Sequence, residues 1–419
     1  MNNKNQHIPQ GYKNSPLGII PEDWEVKRLG DFGSFKNGLN FTSNEEGFSY
    51  YFLGVGDFQD KTDVYANELG QIRLAKEIDK DYHLKDDDLV FVRSNGSKML
   101  VGRCVVVHAD QVKATYSGFC IRFRPTSEGT SAQYVKHVID AGYLRRFLQY
   151  EGRGTNITNL NQEILGRLPF PLPTCKEQQN ILNLLSLWDT AISKQTALID
   201  KLTLRKRVLM QQLLTGKKRL KGFEGKWKKC AYSSVLKEIK RTLVWNEDEL
   251  YKLISVRRRS EGLFFRGSLY GREIATKNLR PAKTGDFLIS KMQIVHGASG
   301  LVTETFDNAK ISGSYIALVA KDDNVLDMEY FNLWSQTPIF YHQTFISSFG
   351  VHIEKMTFDL DTFMSFGLSL PSINEQRAIV SVMKSTNKEI ELAKQKLSSL
   401  QEQKKGLMQV LLTGKKRIK

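Results

Sequence analysis

Two long stretches of the chain, beginning at Pro173 and at Pro371, differ in their apolar pattern from everything before them. After Pro173, apolar residues recur at alternating spacings of four and three, and the positions between them are mostly polar. This alternation is typical of a coiled-coil seam rather than of a helix that lies on a globular core. The predicted seam consists of Ile181, Leu185, Trp188, Ile192, Gln195, Ile199, Leu202, Lys206, Leu209 and Leu213.

The same stretch occurs twice. The segment from Leu172 to Lys221 aligns without a gap on Leu370 to Lys419 at a constant offset of 198, and seven consecutive residues from Leu213 to Arg219 are identical in the second copy. A match of this length indicates an internal duplication. The second predicted seam consists of Ile379, Met383, Thr386, Ile390, Ala393, Leu397, Leu400, Lys404, Leu407 and Leu411.

Start and stop signals predict one long helix in each copy. Thr174 with Glu177 and Ser372 with Glu375 form S/T-x-x-E capping boxes. The glycines suited to a left-handed C-cap are Gly216 and Gly414. Each helix would span about 40 residues, or roughly 60 Å. Two such helices can satisfy each other's seams, so we expect an intramolecular coiled coil, whose parallel or antiparallel direction the pattern leaves open.

Basic residues occupy matching places in the two copies. Lys206 and Lys404 fall within the seams, where snorkelling at a frayed end is the plainer interpretation and a role in setting register is the alternative. The basic helix ends, 217–219 and 415–417, are interpreted as complements of the helix dipole, ahead of contacts with DNA or a partner.

The segments before the helices share a weaker pattern. Trp24 has a counterpart in Trp227, and the apolar run 88–91 matches 286–289 at the same offset of 198, each followed by a polar, glycine-containing loop. These are short strands of α+β domains with similar frames and different loops, as expected of two domains that read different targets. The predicted divisions are a polar tail at 1–16, globular domains at 17–172 and 222–370, and helical regions at 173–221 and 371–419.

Composition favours a nucleic-acid partner. The 419 residues carry 61 Lys and Arg against 45 Asp and Glu, a formal charge of +16, which suits a polyanion. The polar N-terminus lacks the apolar core of a signal peptide, and no apolar run is long enough to span a membrane. The four cysteines are scattered, so we expect no disulfide framework or metal site, and a cytoplasmic protein.

A catalytic site is not evident. The Asn-Pro-Pro-aromatic signature of adenine methyltransferases is absent, and Gly54-Val55-Gly56 lacks the third glycine of a nucleotide fold. We therefore predict no catalytic and no metal-binding residues. A fused nuclease or methyltransferase is the first alternative, which turnover by the chain alone would support. A protein-binding module is the second, which salt-independent binding would support.

Together these features identify a resemblance to the specificity subunits of type I restriction–modification systems. The elements that carry it are the opening Pro21-Glu22-Asp23-Trp24, the repeated Leu-Pro helix start and the repeated Leu-Leu-Thr-Gly-Lys-Lys-Arg helix end. The resemblance implies an α+β fold in which two target recognition domains alternate with two long helices that pair as an antiparallel coiled coil. Each domain would read half of a bipartite, asymmetric site in double-stranded DNA, and the helices would set the separation of the halves.

The resemblance also implies partners. They are two DNA adenine methyltransferase subunits and two ATP-driven restriction subunits. S-adenosylmethionine, ATP and Mg²⁺ would belong to these subunits, and this chain would hold no cofactor.

Candidate DNA contacts lie in the polar loops between the shared strands. Arg, Asn and Gln suit bidentate hydrogen bonds to base edges, and Lys suits phosphates. In the first domain the candidates are Arg93, Ser94, Asn95, Lys98, Tyr116, Arg153, Thr155 and Asn156. In the second domain they are Arg257, Arg258, Lys291, Gln293, His296, Ser348 and His352.

Overall fold

The computed structural model of the protein describes residues 8–41, 46–58, 61–94, 100–126, 130–150 and 160–418. The chain divides into two compact units. The first unit comprises Met1–Gln195 and Lys396–Lys419, and the second comprises Thr196–Gln395. Each unit therefore combines a globular region with one part of each long helix.

Two of the described helices are far longer than the rest. In chain order the helices are α1 (Ala132–Asp140), α2 (Tyr143–Tyr150), α3 (Gln162–Gly166), α4 (Cys175–Leu214), α5 (Tyr232–Val235), α6 (Met328–Trp334), α7 (Pro338–Ile346), α8 (Leu360–Ser365) and α9 (Ile373–Leu411). Both long helices lie within the two helical regions predicted from the sequence.

Short strands make up most of the remaining regular structure. The strands of the first unit are β1 (Tyr12–Ser15), β2 (Gly18–Pro21), β3 (Glu25–Arg28), β4 (Gly33–Asn37), β5 (Phe48–Leu53), β6 (Asp63–Tyr65), β7 (Gln71–Leu74), β8 (Leu89–Val92), β9 (Cys104–His108), β10 (Ala114–Tyr116), β11 (Cys120–Pro125) and β12 (Pro169–Leu172). Those of the second unit are β13 (Lys228–Ala231), β14 (Leu236–Glu238), β15 (Leu250–Val256), β16 (Leu263–Tyr270), β17 (Leu279–Pro281), β18 (Phe287–Ser290), β19 (Ser299–Leu301), β20 (Lys310–Ser312), β21 (Tyr315–Ala320), β22 (Ser348–Phe349), β23 (Thr357–Phe358) and β24 (Gly367–Leu370).

Each unit is built on a sheet whose central strand is buried on both faces. The five-stranded sheet of the first unit has the order β4-β11-β8-β9-β6, and a four-stranded sheet of the second has the order β14-β21-β18-β19. In β8, Leu89 and Phe91 enter one apolar core while Val90 and Val92 enter another. Strand β18 alternates in the same way between two cores. Side chains of a strand alternate between its two faces, and both faces are covered here. The sequences of β8 and β18 are therefore continuous apolar runs.

Smaller sheets complete each unit. The first unit has a three-stranded sheet in the order β10-β5-β7 and the pairs β1-β2 and β12-β3, whereas the second has a four-stranded sheet in the order β16-β15-β20-β17 and the pairs β13-β24 and β22-β23. Strands β12 and β24 lead directly into the two long helices, so pairing with β3 and β13 anchors each helix start to the globular region of its unit.

Matching backbone contacts recur in the two units, at an offset of 198 for Arg93 and Lys291 and for Leu160 and Phe358, and of 195 for Phe119 and Ser314. The N–H of Arg93 donates to the carbonyl of Phe119 at 2.8 Å, and the N–H of Lys291 donates to the carbonyl of Ser314 at 2.9 Å. The carbonyl of Arg93 accepts from Leu160, and that of Lys291 accepts from Phe358. Arg93 and Lys291 therefore hold equivalent positions, directly after the buried strands β8 and β18.

Both predicted seams are shielded from solvent. Every position of the two seams is buried or half-buried, whereas most positions between them are exposed. In the first unit, Ile181 and Leu185 share a core with Met408 and Leu411. The second unit repeats the arrangement with Leu213, Leu214, Ile379 and Met383. Within each unit, the beginning of one long helix thus packs against the end of the other.

The helix starts differ in one respect from the predicted capping boxes. The hydroxyl of Thr174 accepts from the N–H of Glu177 at 3.3 Å, as expected. The Glu177 carboxylate does not close the box. It accepts from Trp24 Nε1 at 2.9 Å and from Arg417 at 2.6 and 3.0 Å. The reciprocal half of the predicted box is therefore wrong, because this glutamate binds groups distant in sequence.

The basic helix ends also have a different role from the predicted one. Arg417 binds Glu177 in the first unit, and Arg219 binds the equivalent Glu375 in the second at 2.5 and 2.7 Å. Both carboxylates are buried. The dipole interpretation is therefore corrected for the two arginines, each of which anchors the end of one helix to the start of the other. The lysines beside them are exposed.

The two seam lysines are not equivalent in their surroundings. Lys404 Nζ binds the carboxylate of Asp189, so this lysine is not snorkelling at a frayed end. Lys206 has Lys394 nearby, and burial lowers its pKa. At the position equivalent to Asp189 the second helix has Asn387, which carries no charge.

Gly414 and Gly216 end the two long helices with positive φ angles of +70° and +71°. A Cβ atom at Gly414 would lie 2.2 Å from Cδ of Pro21, whereas one at Gly216 would lie 3.5 Å from Trp227. We expect Gly216→Ala to lower the free energy of unfolding by about 1 kcal/mol through backbone strain alone. Gly414→Ala adds a steric clash and should cost about 2 kcal/mol or more. Urea unfolding of the two variants measures both, and equal losses would contradict this difference.

His137 in α1 should make the stability of the first unit pH-dependent. Burial lowers its pKa to about 4, and its Nδ1 has no hydrogen-bond partner among the described residues. The unfolded chain, with a histidine pKa near 6.5, binds the proton more readily, so stability present above that pH is lost as pH falls toward 4. This loss should be about 2 kcal/mol between pH 7 and pH 5.

The pH prediction is tested by urea unfolding of His137→Gln at both pH values. The variant should lose about 2 kcal/mol less than the parent over this range. His342→Gln, at an exposed position, serves as the control and should behave as the parent does. An unchanged pH dependence in His137→Gln would contradict the assignment.

Candidate nucleic-acid interface

Three loop segments of the second unit meet at one surface. They are 257–262, which joins β15 to β16, 291–297, which follows β18, and 348–358, which holds the β22-β23 hairpin. The N–H groups of Arg259 and Ser260 donate to the carbonyls of His296 and Gly297 at 2.7 and 2.8 Å. The N–H of Phe358 donates to the carbonyl of Lys291 at 2.9 Å. We call these three segments together the loop surface.

Glu354 links the predicted side chains at this surface. Its carboxylate lies 3.3 Å from a guanidinium nitrogen of Arg258 and 3.1 Å from Nε2 of His296. Arg258 Nε also donates to Oε1 of Gln293 at 2.7 Å. Three predicted side chains from two loops are thus brought together with Glu354 from the third, and the contacts restrain the Arg258 guanidinium. Such a cluster offers donors and acceptors suited to base edges.

The remaining candidates of the second unit differ in accessibility. Arg257 is exposed with its guanidinium 5.0 Å from the ring centroid of Phe264, Lys291 is half-buried, and His352 is exposed. Ser348 is only 4% exposed, and its hydroxyl donates to the carbonyl of Thr344 at 2.8 Å. The prediction of Ser348 as a DNA contact is therefore wrong, because its side chain is used to close the end of α7.

Only three of the eight candidate DNA contacts of the first unit lie among the described residues. Arg93 and Ser94 are half-buried, and the N–H groups of both point to the carbonyl of Phe119. Tyr116 is 0% exposed, its hydroxyl donates to the carbonyl of Lys36, and burial raises its pKa. The prediction of Tyr116 is corrected, because it belongs to the core. The candidates outside the described residues are Asn95, Lys98, Arg153, Thr155 and Asn156.

Sequence reasoning missed several accessible side chains. Glu354 carries no local sequence signal, because its partner Arg258 lies 96 residues away. Apolar side chains were overlooked as well: Phe119 is exposed beside Arg93, and Val351 and Phe349 are exposed at the loop surface.

The family model for the type I restriction modification DNA specificity domain matches residues 21–204 and 246–402. These matches cover most of the chain and fall in both units. The chain belongs to this family.

Relatives in this family match over nearly the whole length. The sequence assigned to the MjaX type I restriction enzyme specificity subunit of Methanocaldococcus jannaschii is 26% identical, with 98% of this chain and 97% of that protein covered. The MjaVIII specificity subunit of the same organism is 23% identical, with 96% and 94% covered.

A solved structure shows the same fold. The HsdS subunit from Thermoanaerobacter tengcongensis superimposes with a TM-score of 0.52 at 15% identity, covering 94% of this chain and 98% of that one. A chain from a structural study of assembly and conformational transition of the type I R-M system reaches 0.62 at 16% identity, with 94% and 99% covered. At these identities the likeness concerns the fold.

Two features are absent from the described part of the chain. No group of three or more His, Cys, Asp and Glu residues there is arranged to hold a metal ion. No helix of that part is long and apolar enough to cross a membrane.

Proposed function

We propose that this chain is the non-catalytic, sequence-reading subunit of a type I restriction–modification complex, and that it binds a bipartite, asymmetric site in double-stranded DNA. The observation that carries the proposal is the equivalence of Arg93 and Lys291, which start unlike polar loops from matching positions in two units. A shared frame with different loops suits two half-sites of different sequence. Each unit would read one half-site.

The two long helices are proposed as an antiparallel coiled coil that sets the separation of the half-sites. Support comes from each unit taken alone, since the start of one helix packs there against the end of the other. The paired contacts Glu177–Arg417 and Glu375–Arg219 repeat at the sequence offset of 198, which supports an internal duplication.

The proposed partners are two adenine methyltransferase subunits and, in the complete nuclease, two restriction subunits. The relatives are named as type I specificity subunits, which supports this assignment. S-adenosylmethionine, ATP and Mg²⁺ are proposed to bind those partners. Within this chain, the proposed recognition domains are 17–172 and 222–370, and the proposed helical regions are 173–221 and 371–419.

Salt dependence of binding tests the proposal against a protein-binding module. The chain with its methyltransferase subunits is titrated with duplex DNA at several salt concentrations. Lys and Arg contacts to phosphates should give an affinity that falls linearly on a log–log scale, with a slope of about −0.9 per contact. A flat response would favour the protein-binding alternative. Turnover of S-adenosylmethionine by the purified chain alone would contradict the non-catalytic assignment.

Arg258→Ala is expected to weaken binding of the cognate site on the order of tenfold, because the guanidinium is restrained by Gln293 and Glu354 and can donate its remaining N–H groups to a base edge. Arg272→Ala is the matched control. Arg272 is an exposed arginine of the same unit that is paired with Asp248 outside the loop surface, and its loss should leave affinity unchanged. Fluorescence anisotropy with labelled duplex measures both, and equal effects would remove Arg258 from the recognition set.

A further inference from the structure

The loop surface carries apolar side chains that the unit leaves in solvent. Val351 is 93% exposed and Phe349 is 59% exposed, and Ile353 and Met292 are also exposed. All four lie in the same segments as the Arg258–Gln293–His296–Glu354 cluster. A valine exposed to this degree contributes almost nothing to the stability of its own unit.

The backbone around Val351 is tightly constrained. A Cβ atom at the preceding Gly350 would lie 2.9 Å from the carbonyl oxygen of Lys355 and from Cα of Met356, so the turn needs glycine there. Phe349 and Ser348 pair with Thr357 and Phe358 in the β22-β23 hairpin below the turn. Val351 directly follows this glycine in the seven-residue loop (350–356) at the tip of the hairpin. Its β-branched side chain has little rotational freedom.

The charge around this apolar tip identifies the kind of partner. The loop surface contains five Lys and Arg residues and two Glu residues. The cations are Arg257, Arg258, Arg259, Lys291 and Lys355. A cationic surround favours a polyanion over an apolar protein surface. In the major groove of duplex DNA, the apolar group that distinguishes one base from the others is the C5-methyl group of thymine.

We propose that Val351 is a specificity-determining residue that contacts the 5-methyl group of a thymine in the half-site bound by the second unit. The inference rests on the proposed function. Val351 supplies the apolar contact, and the neighbouring Arg258 and Gln293 supply hydrogen bonds to adjacent base edges. Every half-site that holds a methylated adenine also holds a thymine in the opposite strand, so the required methyl group is present in any such target.

The test replaces each thymine of that half-site, one at a time, with deoxyuridine, which pairs identically but lacks the methyl group. The site sequence comes from methylation mapping, and affinity is measured with the full chain and its methyltransferase subunits. At one position the parent should lose about fourfold in affinity, the value of one buried methyl-sized group. Val351→Ala should bind the thymine duplex about fourfold more weakly and should lose nothing further with deoxyuridine.

Val244→Ala is the matched control, since Val244 is 90% exposed in the same unit but lies outside the loop surface. It should retain the full sensitivity of the parent to deoxyuridine. Val351→Thr, which keeps the shape of the side chain, is the second variant if the alanine variant changes the unfolding temperature, and it should show reduced sensitivity to deoxyuridine.

Three results would overturn the inference. The parent could be insensitive to deoxyuridine at every position, or the Val351 variants could keep the parent's sensitivity. Val351→Ala could instead weaken association with the methyltransferase subunits in the absence of DNA, which would make the tip a protein-docking site. Failure of the proposed function is distinguishable, because then no DNA motif would depend on this chain at all.

Discussion

A chain truncated after Phe223 is expected to form a homodimer that binds a symmetric DNA site. In the full chain, the core of the first unit is completed by Met408 and Leu411 from the end of α9 and by Leu412, which follows the helix. The truncated chain lacks them. A second copy can replace them with Met210, Leu213 and Leu214, which are identical residues at the offset of 198.

Charged contacts of the first unit would also be restored in such a homodimer. Arg219 of the second copy corresponds to Arg417 and would reach Glu177, and Lys206 corresponds to Lys404 and would reach Asp189. The seam lysine that faces no equivalent carboxylate in the full chain would thereby acquire one. The first helix is thus suited to pair with a copy of itself, and each dimer would contain two Lys206–Asp189 contacts.

Sedimentation analysis measures the association, and Asp189→Lys tests the reason for it. Two like-charge contacts would then replace two ion pairs, and the dissociation constant should rise by on the order of tenfold or more. Asp200→Lys, an exposed position of the same helix outside the seam, is the control and should still dimerise. A folded truncated chain that stays monomeric would contradict the paired-helix proposal.

Insertion of four residues after Ala197 in α4 is expected to lengthen the spacer between the half-sites without changing either half-site. Four residues add about 6 Å and about 40° of net rotation to a helix. One base-pair step adds about 3.4 Å and about 35°, so the spacer should grow by about one to two base pairs. Methylation mapping of the variant reads the spacer and both half-sites together.

The same four residues inserted after Glu224, an exposed turn position beyond the helix end, provide the control. This insertion should leave the spacer unchanged, because it does not lengthen the helix. Altered bases in either half-site after insertion at Ala197 would contradict the separation of reading from spacing.

The helices were the most predictable feature, because seam positions such as Leu185 and Leu202 repeat over many turns and their burial follows from spacing alone. The role of the helix-end arginines could not be predicted, because Arg417 meets Glu177 across 240 residues of chain and no local rule pairs them. The opposite failure occurred at Tyr116. It stands beside a polar Ser-Gly turn, yet its strand runs through the core, so its side chain is covered.

The candidate site was predictable in composition but not in arrangement. Arg258, Gln293 and His296 are predictable from loop position and residue type. Their contacts with one another and with Glu354 depend on how three loops fold against one another. Val351 could not be predicted as a DNA contact from residue type, because its role is inferred from its exposure and from the charges around it. Packing between segments distant in sequence determines both the contacts of the polar cluster and the exposure of Val351.

Genome-wide adenine methylation tests the central claim most directly. A host without methylation systems of its own receives this chain together with its methyltransferase subunit, and a parallel host receives the methyltransferase subunit alone. The account predicts a single methylated motif made of two unlike half-sites separated by unspecified bases, present only with this chain. Methylation that persists without the chain, or a motif that is continuous or symmetric, would contradict it.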